Sequence, residues 1–317
     1  MIKRRWFTLA AFGVILSAAF LATGGLQLEA LEQIVPGVWF RQGDLKQYGH
    51  CNNVVIEMSD HLVVVDANFP SGAKALMADI KKVSAKPVKY VLLTHHHGDH
   101  AYGASLWTKL GAITMAHINV VEAMKLGEPR GWRNAAQKRK DVGELNLDAP
   151  ELPKETFSTS PRVMEDSTRR LEFHHFGWAH TRGDGFVYLP KERILCTGDA
   201  AVNGPYNYTG DGNVLNWPNV IRAALRLKVD RVLPGHGAGG GKEIMTGQIA
   251  FFEALRKSVA AGIKKGQGKE EIATSAVLPD SVRNWKGDSF QNQVNDMYNE
   301  LTQKKPAGEI NLAAQAK

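Results

Sequence analysis

Two hydrophobic periods alternate along the chain, and the switches between them locate its elements. Short apolar or alternating runs at 37–41, 53–58 and 62–66, separated by Gly, Asp and His, read as successive strands. From Ser71 the period lengthens. Leu76, Ile80 and Val83 recur at helical spacing, with Ser71 as candidate N-cap and Pro87 as the stop before a strand at 88–93. The alternation returns with a strand at 112–115 and a helix at 119–126, and a polar insert at 127–161 then interrupts it. Further strands are expected at 171–176, 185–189 and 193–196, an amphipathic helix at 214–227 and a last strand at 229–233, after which helices dominate. This order predicts a mixed α/β chain of two similar halves, each a sheet faced by helices, ending in a polar tail at 306–317.

The first residues break this rhythm. Lys3, Arg4 and Arg5 precede an apolar run from Trp6 to Ala22, and small or polar residues follow to Gly25, the layout of a secretory signal over 1–24. Left uncleaved, such a run would anchor the chain in a membrane. The pair Arg4-Arg5 also resembles part of a twin-arginine signal. The expectation is an exported chain, periplasmic or secreted, whose mature domain occupies 25–305.

Removing that segment lowers the formal charge from +7 to +4, because it holds three of the 39 basic residues and none of the 32 acidic ones. No basic stripe interleaved with aromatics stands out, so a small molecule and not nucleic acid is the expected partner. Cys51 and Cys196 lie in or beside apolar runs, and neither belongs to a Cys-x-x-Cys pair, which predicts two buried thiols and no cysteine zinc site.

The candidate chemistry begins at 94–100, Thr-His-His-His-Gly-Asp-His, directly after an apolar strand. Imidazole and carboxylate at close range suit zinc, and alternation in a turn containing Gly98 lets His95 and His97 face one ion while Asp99 and His100 face another. His96 is turned away and reads as structural. His180, Asp199 and His236 also follow expected strands, in Gly177-Trp178-Ala179-His180-Thr181, Thr197-Gly198-Asp199 and Pro234-Gly235-His236-Gly237. Any one of them alone would read as a cap, a turn former or a solvated residue.

The ordered set His-x-His-x-Asp-His, Gly-x-x-His-Thr, Thr-Gly-Asp and Pro-Gly-His-Gly resembles the metallo-β-lactamase superfamily over roughly residues 34–265. The resemblance implies an αββα sandwich with its site at one edge of the two sheets. It also implies a first zinc on His95, His97 and His180, a second on Asp99, His100 and His236, and Asp199 bridging them. Two zinc ions about 3.5–4 Å apart can share a water and lower its pKa toward roughly 7, so hydrolysis by hydroxide is expected, with Asp99 orienting the nucleophile and moving its proton. The substrate would carry an ester, lactone, thioester or amide/lactam bond.

The stretch Asn207-Tyr208-Thr209-Gly210-Asp211 is similar to true β-lactamases of the subclass with a cysteine ligand, where Asn207 would match a substrate-contacting asparagine. The chain departs from that subclass at Asp199 (cysteine there), His100 (usually arginine) and Val202 (often a carboxylate-binding lysine). Two further classes share the ligand set: a non-catalytic metal-binding partner of an exported redox system, and an oxidoreductase carrying iron, which His and Asp also suit. Around the ligands, Tyr208 and its neighbours would wall the pocket. Trp132 and the basic residues of the insert would form a lid or a solvated helix face, Tyr102 would reach an oxyanion or pack, and Asp184 would accept a ligand histidine's second ring proton or shape a turn.

Overall fold

Residues 30–315 are described by a computed structural model; the signal expected at 1–24 lies outside them. The first half of the chain forms β1 (Leu31–Val35), β2 (Val38–Arg41), β3 (Asn53–Glu57), β4 (Leu62–Val65), α1 (Pro70–Val83), β5 (Val88–Leu92), α2 (Gly98–Ala101), α3 (Ala104–Thr108), β6 (Ile113–His117), α4 (Ile118–Lys138), α5 (Lys140–Gly143) and β7 (Glu155–Phe157). The second half forms β8 (Arg162–Glu165), β9 (Arg170–His174), β10 (Phe186–Leu189), β11 (Ile194–Gly198), α6 (Trp217–Ala224), β12 (Arg231–Pro234), α7 (Glu243–Lys264), α8 (Lys269–Ser275), a 3-10 turn at Asp280–Trp285, α9 (Phe290–Gln303) and α10 (Ala307–Gln315).

The strands build a seven-stranded sheet in the order β1 to β7 and a five-stranded sheet ordered β12-β11-β10-β9-β8. Both mix hairpins with crossovers. Strands β1 to β4 and β8 to β11 pair antiparallel, whereas β4 to β7 and β11-β12 pair parallel. Each parallel step needs a return crossing, and the helices supply it.

Alternate side chains of one strand feed different cores. Val54 and Ile56 of β3 enter the layer between the sheets, with Phe173 and Val187 opposite, while Val55 enters the layer under α1 with Leu76 and Ile80. Likewise Ile194 and Cys196 of β11 face the inter-sheet layer, and Leu195 joins Trp217, Phe251 and Phe252 under α6 and α7. Burial on both faces is why these strands read as apolar runs. The three apolar layers make a four-layer αββα sandwich.

Three expectations are corrected. Ser71 is not the N-cap of α1. Phe69 holds that position and Pro70 opens the helix, while the Ser71 hydroxyl donates to Asp141 at 2.6 Å. The helix expected to stop at Leu126 continues to Lys138, so the insert opens as helix. Val120, Met124, Glu128 and Trp132 form its buried stripe at four-residue spacing. A glutamate in the stripe, flanked by Gly127 and Pro129, hid that period. The polar tail forms α10, whose Gly308 N–H donates to the Gly212 carbonyl at 2.9 Å. Both cysteines are buried and free, and no described helix is long and apolar enough to cross a membrane.

Candidate metal centre

Carboxyl ends of parallel strands are where open α/β sheets place ligands, and the predicted residues leave such ends. Thr94 to His100 follow β5, Asp199 follows β11 and His236 follows β12. His180 sits in the loop after β9, which runs parallel to β11 because both are antiparallel to β10. Glycines permit the close approach. Gly198 takes φ +49°, and a Cβ on Gly235 would overlap the Asp199 carboxylate.

The structure brings the residues together in two adjoining groups. Candidate donor atoms of His95, His97 and His180 lie within 4.8 Å of one another. Their rings meet edge to face at 4.7–4.8 Å, and His180 Nε2 is 2.9 Å from His97 Nδ1. In the second group His236 Nε2 is 3.0 Å from Asp99 Oδ2 and 3.4 Å from His100 Nε2. Asp199 faces both: Oδ2 lies 3.7 Å from His180 Nε2 and 3.4 Å from His236 Nε2, and Oδ1 lies 3.3 Å from His100 Nε2.

These residues fit metal ions. His95 Nε2 and Asp199 Oδ1 are buried without a hydrogen-bond partner, an arrangement that costs free energy unless a cation takes the lone pairs. Burial, then the neighbouring imidazoles, hold His95 well below the usual range, and burial with the His97 charge takes His180 to about 3. Both rings are therefore neutral, the form that coordinates. Burial pushes the Asp99 carboxyl up, but His100 and His236 outweigh it and hold it at about 2.

The opposite ring nitrogens are held as ligand histidines require. His100 Nδ1 lies 2.8 Å from Asp66 Oδ2, His180 Nδ1 lies 2.9 Å from the Tyr208 carbonyl, and His97 Nε2 lies 2.8 Å from Asp211 Oδ2. Burial pushes His97, His100 and His236 down, but the anionic groups facing them outweigh it and raise all three, His236 to about 9, so an ion entering the site displaces one proton from each. With the remaining proton on the atoms above, His100 Nε2, His180 Nε2 and His97 Nδ1 become the lone pairs that converge. Asp66 and Asp211 were not recognised in the sequence. The signal for Asp66 was a carboxylate closing an apolar strand, now at φ +66° with Oδ1 accepting from Thr94 N–H at 2.7 Å. Asp66→Ala is expected to weaken the second ion about 10- to 100-fold, read by competition against a chromogenic chelator; unchanged affinity would remove Asp66 from the site.

Around the ligands, the structure selects between the alternatives left open for Asp184 and Tyr102 and corrects the lid expected at Trp132. Asp184 accepts no ring proton. Its carboxylate accepts the backbone N–H groups of Ala179, His180 and Thr181 and the Thr181 hydroxyl, so it shapes the loop beneath His180. Trp132 is 1% exposed, packed on Tyr102 and donating to the Leu147 carbonyl at 2.7 Å, so it forms no lid. The Tyr102 hydroxyl is turned to Glu128 and faces no oxyanion. Asn207 is buried, its side-chain oxygen accepts from Gln248, and its side-chain nitrogen is left without a partner. Tyr208 is half exposed, with its ring 5.4 Å from that of His97.

The loop carrying Tyr208 and Asp211 is fixed by helices that no motif had flagged. From α9, Asp296 accepts the Thr209 hydroxyl at 2.6 Å, and Glu300 accepts the N–H groups of Val214, Leu215 and Ala307 at 2.6–2.8 Å. From α10, Asn311 donates to the Gly210 carbonyl at 2.9 Å.

A two-sheet sandwich with histidines and aspartates converging at strand ends defines a fold with a candidate metal centre at one sheet edge. The chain belongs to the metallo-β-lactamase superfamily, whose family model matches residues 48–236. It is 27% identical over 197 residues to the 2,4-dinitroanisole O-demethylase subunit alpha of Nocardioides sp. (strain JS1661), covering 59% of this chain and 53% of that one. The chain thus spans about half the length of that curated relative. Two solved structures share the fold. A metallo-β-lactamase from Pontibacter korlensis matches at TM-score 0.58 and 22% identity over 72% of this chain and 99% of that one. The stereoselective inverting sec-alkylsulfatase Pisa1 from Pseudomonas sp. matches at TM-score 0.67 and 19% identity over 86% and 50%.

Proposed function

We propose that the chain is an exported zinc-dependent hydrolase with two ions per chain, one on His95, His97 and His180, the other on Asp99, His100 and His236, with Asp199 between them. One observation carries the reading: Asp199 faces both donor groups at once, with the Asp99 and His97 side chains part-exposed and the Tyr208 ring beside His97. Bound zinc supplies Lewis acidity and lowers the pKa of a coordinated water. The chain's own residues do the rest. Asp99, kept as a carboxylate, accepts a hydrogen bond from the attacking water and orients it. Asp66, Asp211 and Tyr208 hold the histidines so that no reorganisation is needed as charge develops.

The substrate carries an ester, lactone or thioester bond in preference to a β-lactam. Losing a charge-assisted contact costs typically about 1.5–3 kcal/mol, and the position where a lysine would hold the carboxylate of a lactam antibiotic is the apolar Val202, buried at 0% exposure.

The test is metal analysis plus hydrolysis by protein stripped with chelator and then reloaded with zinc. The panel comprises aryl esters, lactones, thioesters, a chromogenic cephalosporin, a secondary alkyl sulfate and 2,4-dinitroanisole. Turnover that vanishes on stripping and returns with zinc is expected for at least one acyl substrate. Rapid cephalosporin turnover would make the chain a working β-lactamase. Iron as the resident metal with redox turnover would assign it to the oxidoreductases, and two bound ions with no turnover would favour the non-catalytic binding role.

A further inference from the structure

Behind the His97 ring, on the side away from the converging nitrogens, two carboxylates approach the ring of His96. His96 comes from the metal-binding turn, Glu128 from the buried stripe of α4 and Asp211 from the loop after β11. His96 is 7% exposed. Its Nδ1 is buried without a partner, and its Nε2 lies 3.9 Å from both Glu128 Oε1 and Asp211 Oδ2. No hydrogen bond spans that separation. It is instead the spacing of donors sharing one cation: at bonds of about 2.0–2.2 Å, ligands lie about 3.4 Å apart at the tetrahedral angle and up to about 4.2 Å apart as the angle opens.

The surroundings hold the donors in that pose. The Tyr102 hydroxyl donates to Glu128 Oε2, which leaves Oε1 to face His96. Gly131 keeps the space beside it, since a Cβ there would stand 2.8 Å from Glu128 Oε2. Of the two carboxylates beside this imidazole Asp211 is part-exposed and already pairs with His97, whereas Glu128 is buried, and burying its charge is costly without a counter-charge. Arg182, the cation bordering the adjoining cavity, does not supply it. Its guanidinium stacks 4.3 Å over the Trp178 ring and pairs with Glu309 at 3.2 Å. The cavity, about 60 Å³, reaches His96 and Asp211 past Leu126 and Leu312 and gives a small cation a way in.

We propose that His96, Glu128 and Asp211 form a third divalent-cation site, distinct from the two-ion centre and taking zinc or a metal of similar preference. One imidazole with two carboxylates suits zinc, manganese or ferrous iron better than magnesium or calcium, which favour all-oxygen shells. The ion would join α4, the metal-binding turn and the loop after β11. Asp211 would then touch it while accepting the hydrogen bond from His97 Nε2, which ties the rigidity of the first site to the third.

The full-length protein is stripped, equilibrated with zinc and analysed for ions per chain, and its crystals are examined by anomalous diffraction at the zinc edge. The wild type is expected to hold about three ions, with one anomalous peak between His96, Glu128 and Asp211. His96→Ala and Glu128→Gln should each hold about two and lose that peak alone. The diffraction experiment needs no variant, so a misfolded substitution leaves the test intact. Two ions in the wild type, with no peak at His96, would overturn the proposal. His236→Ala should lose a central ion and keep the third, so failure of the two-ion centre is distinguishable from failure of this site.

Discussion

Replacing His97 with alanine is expected to remove one metal ion per chain and lower turnover by about 10³-fold or more, with little change in the fold. Lewis-acid stabilisation by a bound ion is worth several kcal/mol, and each 1.36 kcal/mol is tenfold in rate. The first group would keep only His95 and His180, with Asp199 shared. The fold is expected to survive because His97 occupies the N-cap position of the short helix α2 without a side-chain capping bond, and its side chain is 19% exposed. Metal content, turnover and circular dichroism measured on one preparation separate these effects. Wild-type metal content with wild-type turnover would remove His97 from the ligand set. Loss of the dichroism signal would mean that the ring is needed for the fold.

Asp184→Ala should produce the largest loss of stability, about 3–6 kcal/mol, because buried donors left unpaired cost about 1–3 kcal/mol each. The carboxylate accepts from three consecutive backbone N–H groups and one hydroxyl at 2.7–3.1 Å. Alanine would leave all of them facing an apolar methyl in a loop that is buried at Ala179, His180 and Thr181. Total stability for a folded domain is typically about 5–15 kcal/mol, so the variant should unfold at much lower denaturant and lose the ion that His180 helps to hold. Asp184→Asn, which keeps one acceptor oxygen but turns an amide donor toward the same N–H groups, should fall between. Denaturant midpoints of both variants close to wild type would show that solvent can satisfy this loop.

The residues past the family match bear on the site as well. The match ends at His236, and α7 to α10 lie beyond it. Asp296, Glu300 and Asn311 from those helices fix the loop that presents Tyr208 to His180 and Asp211 to His97. Substitutions far from the metal ligands in sequence are therefore expected to be felt at the first ion.

How much was legible in the sequence follows from how far each feature reaches along the chain. Strands β2 to β5 and helix α1 were readable because their apolar periods are local, and the metal motifs because each lies within a few residues of a strand end. The sequence therefore determined the alternation of elements and the donor types available at the strand ends. Which way the other side chains point was settled only by tertiary packing. Trp132 read as a lid and faces the core, because the stripe it belongs to passes through Gly127, Glu128 and Pro129 and loses its apolar signature. Asn207 read as a substrate contact and is held by Gln248, 41 positions away. The pairs that set the ring protons join His97 to Asp211, 114 positions apart, and His100 to Asp66, 34 apart. Local periodicity carries no information on such pairings. They are fixed when the sheets stack and bring their carboxyl ends to one edge, so the sequence supplied the donors while the fold chose their partners and the direction of every lone pair.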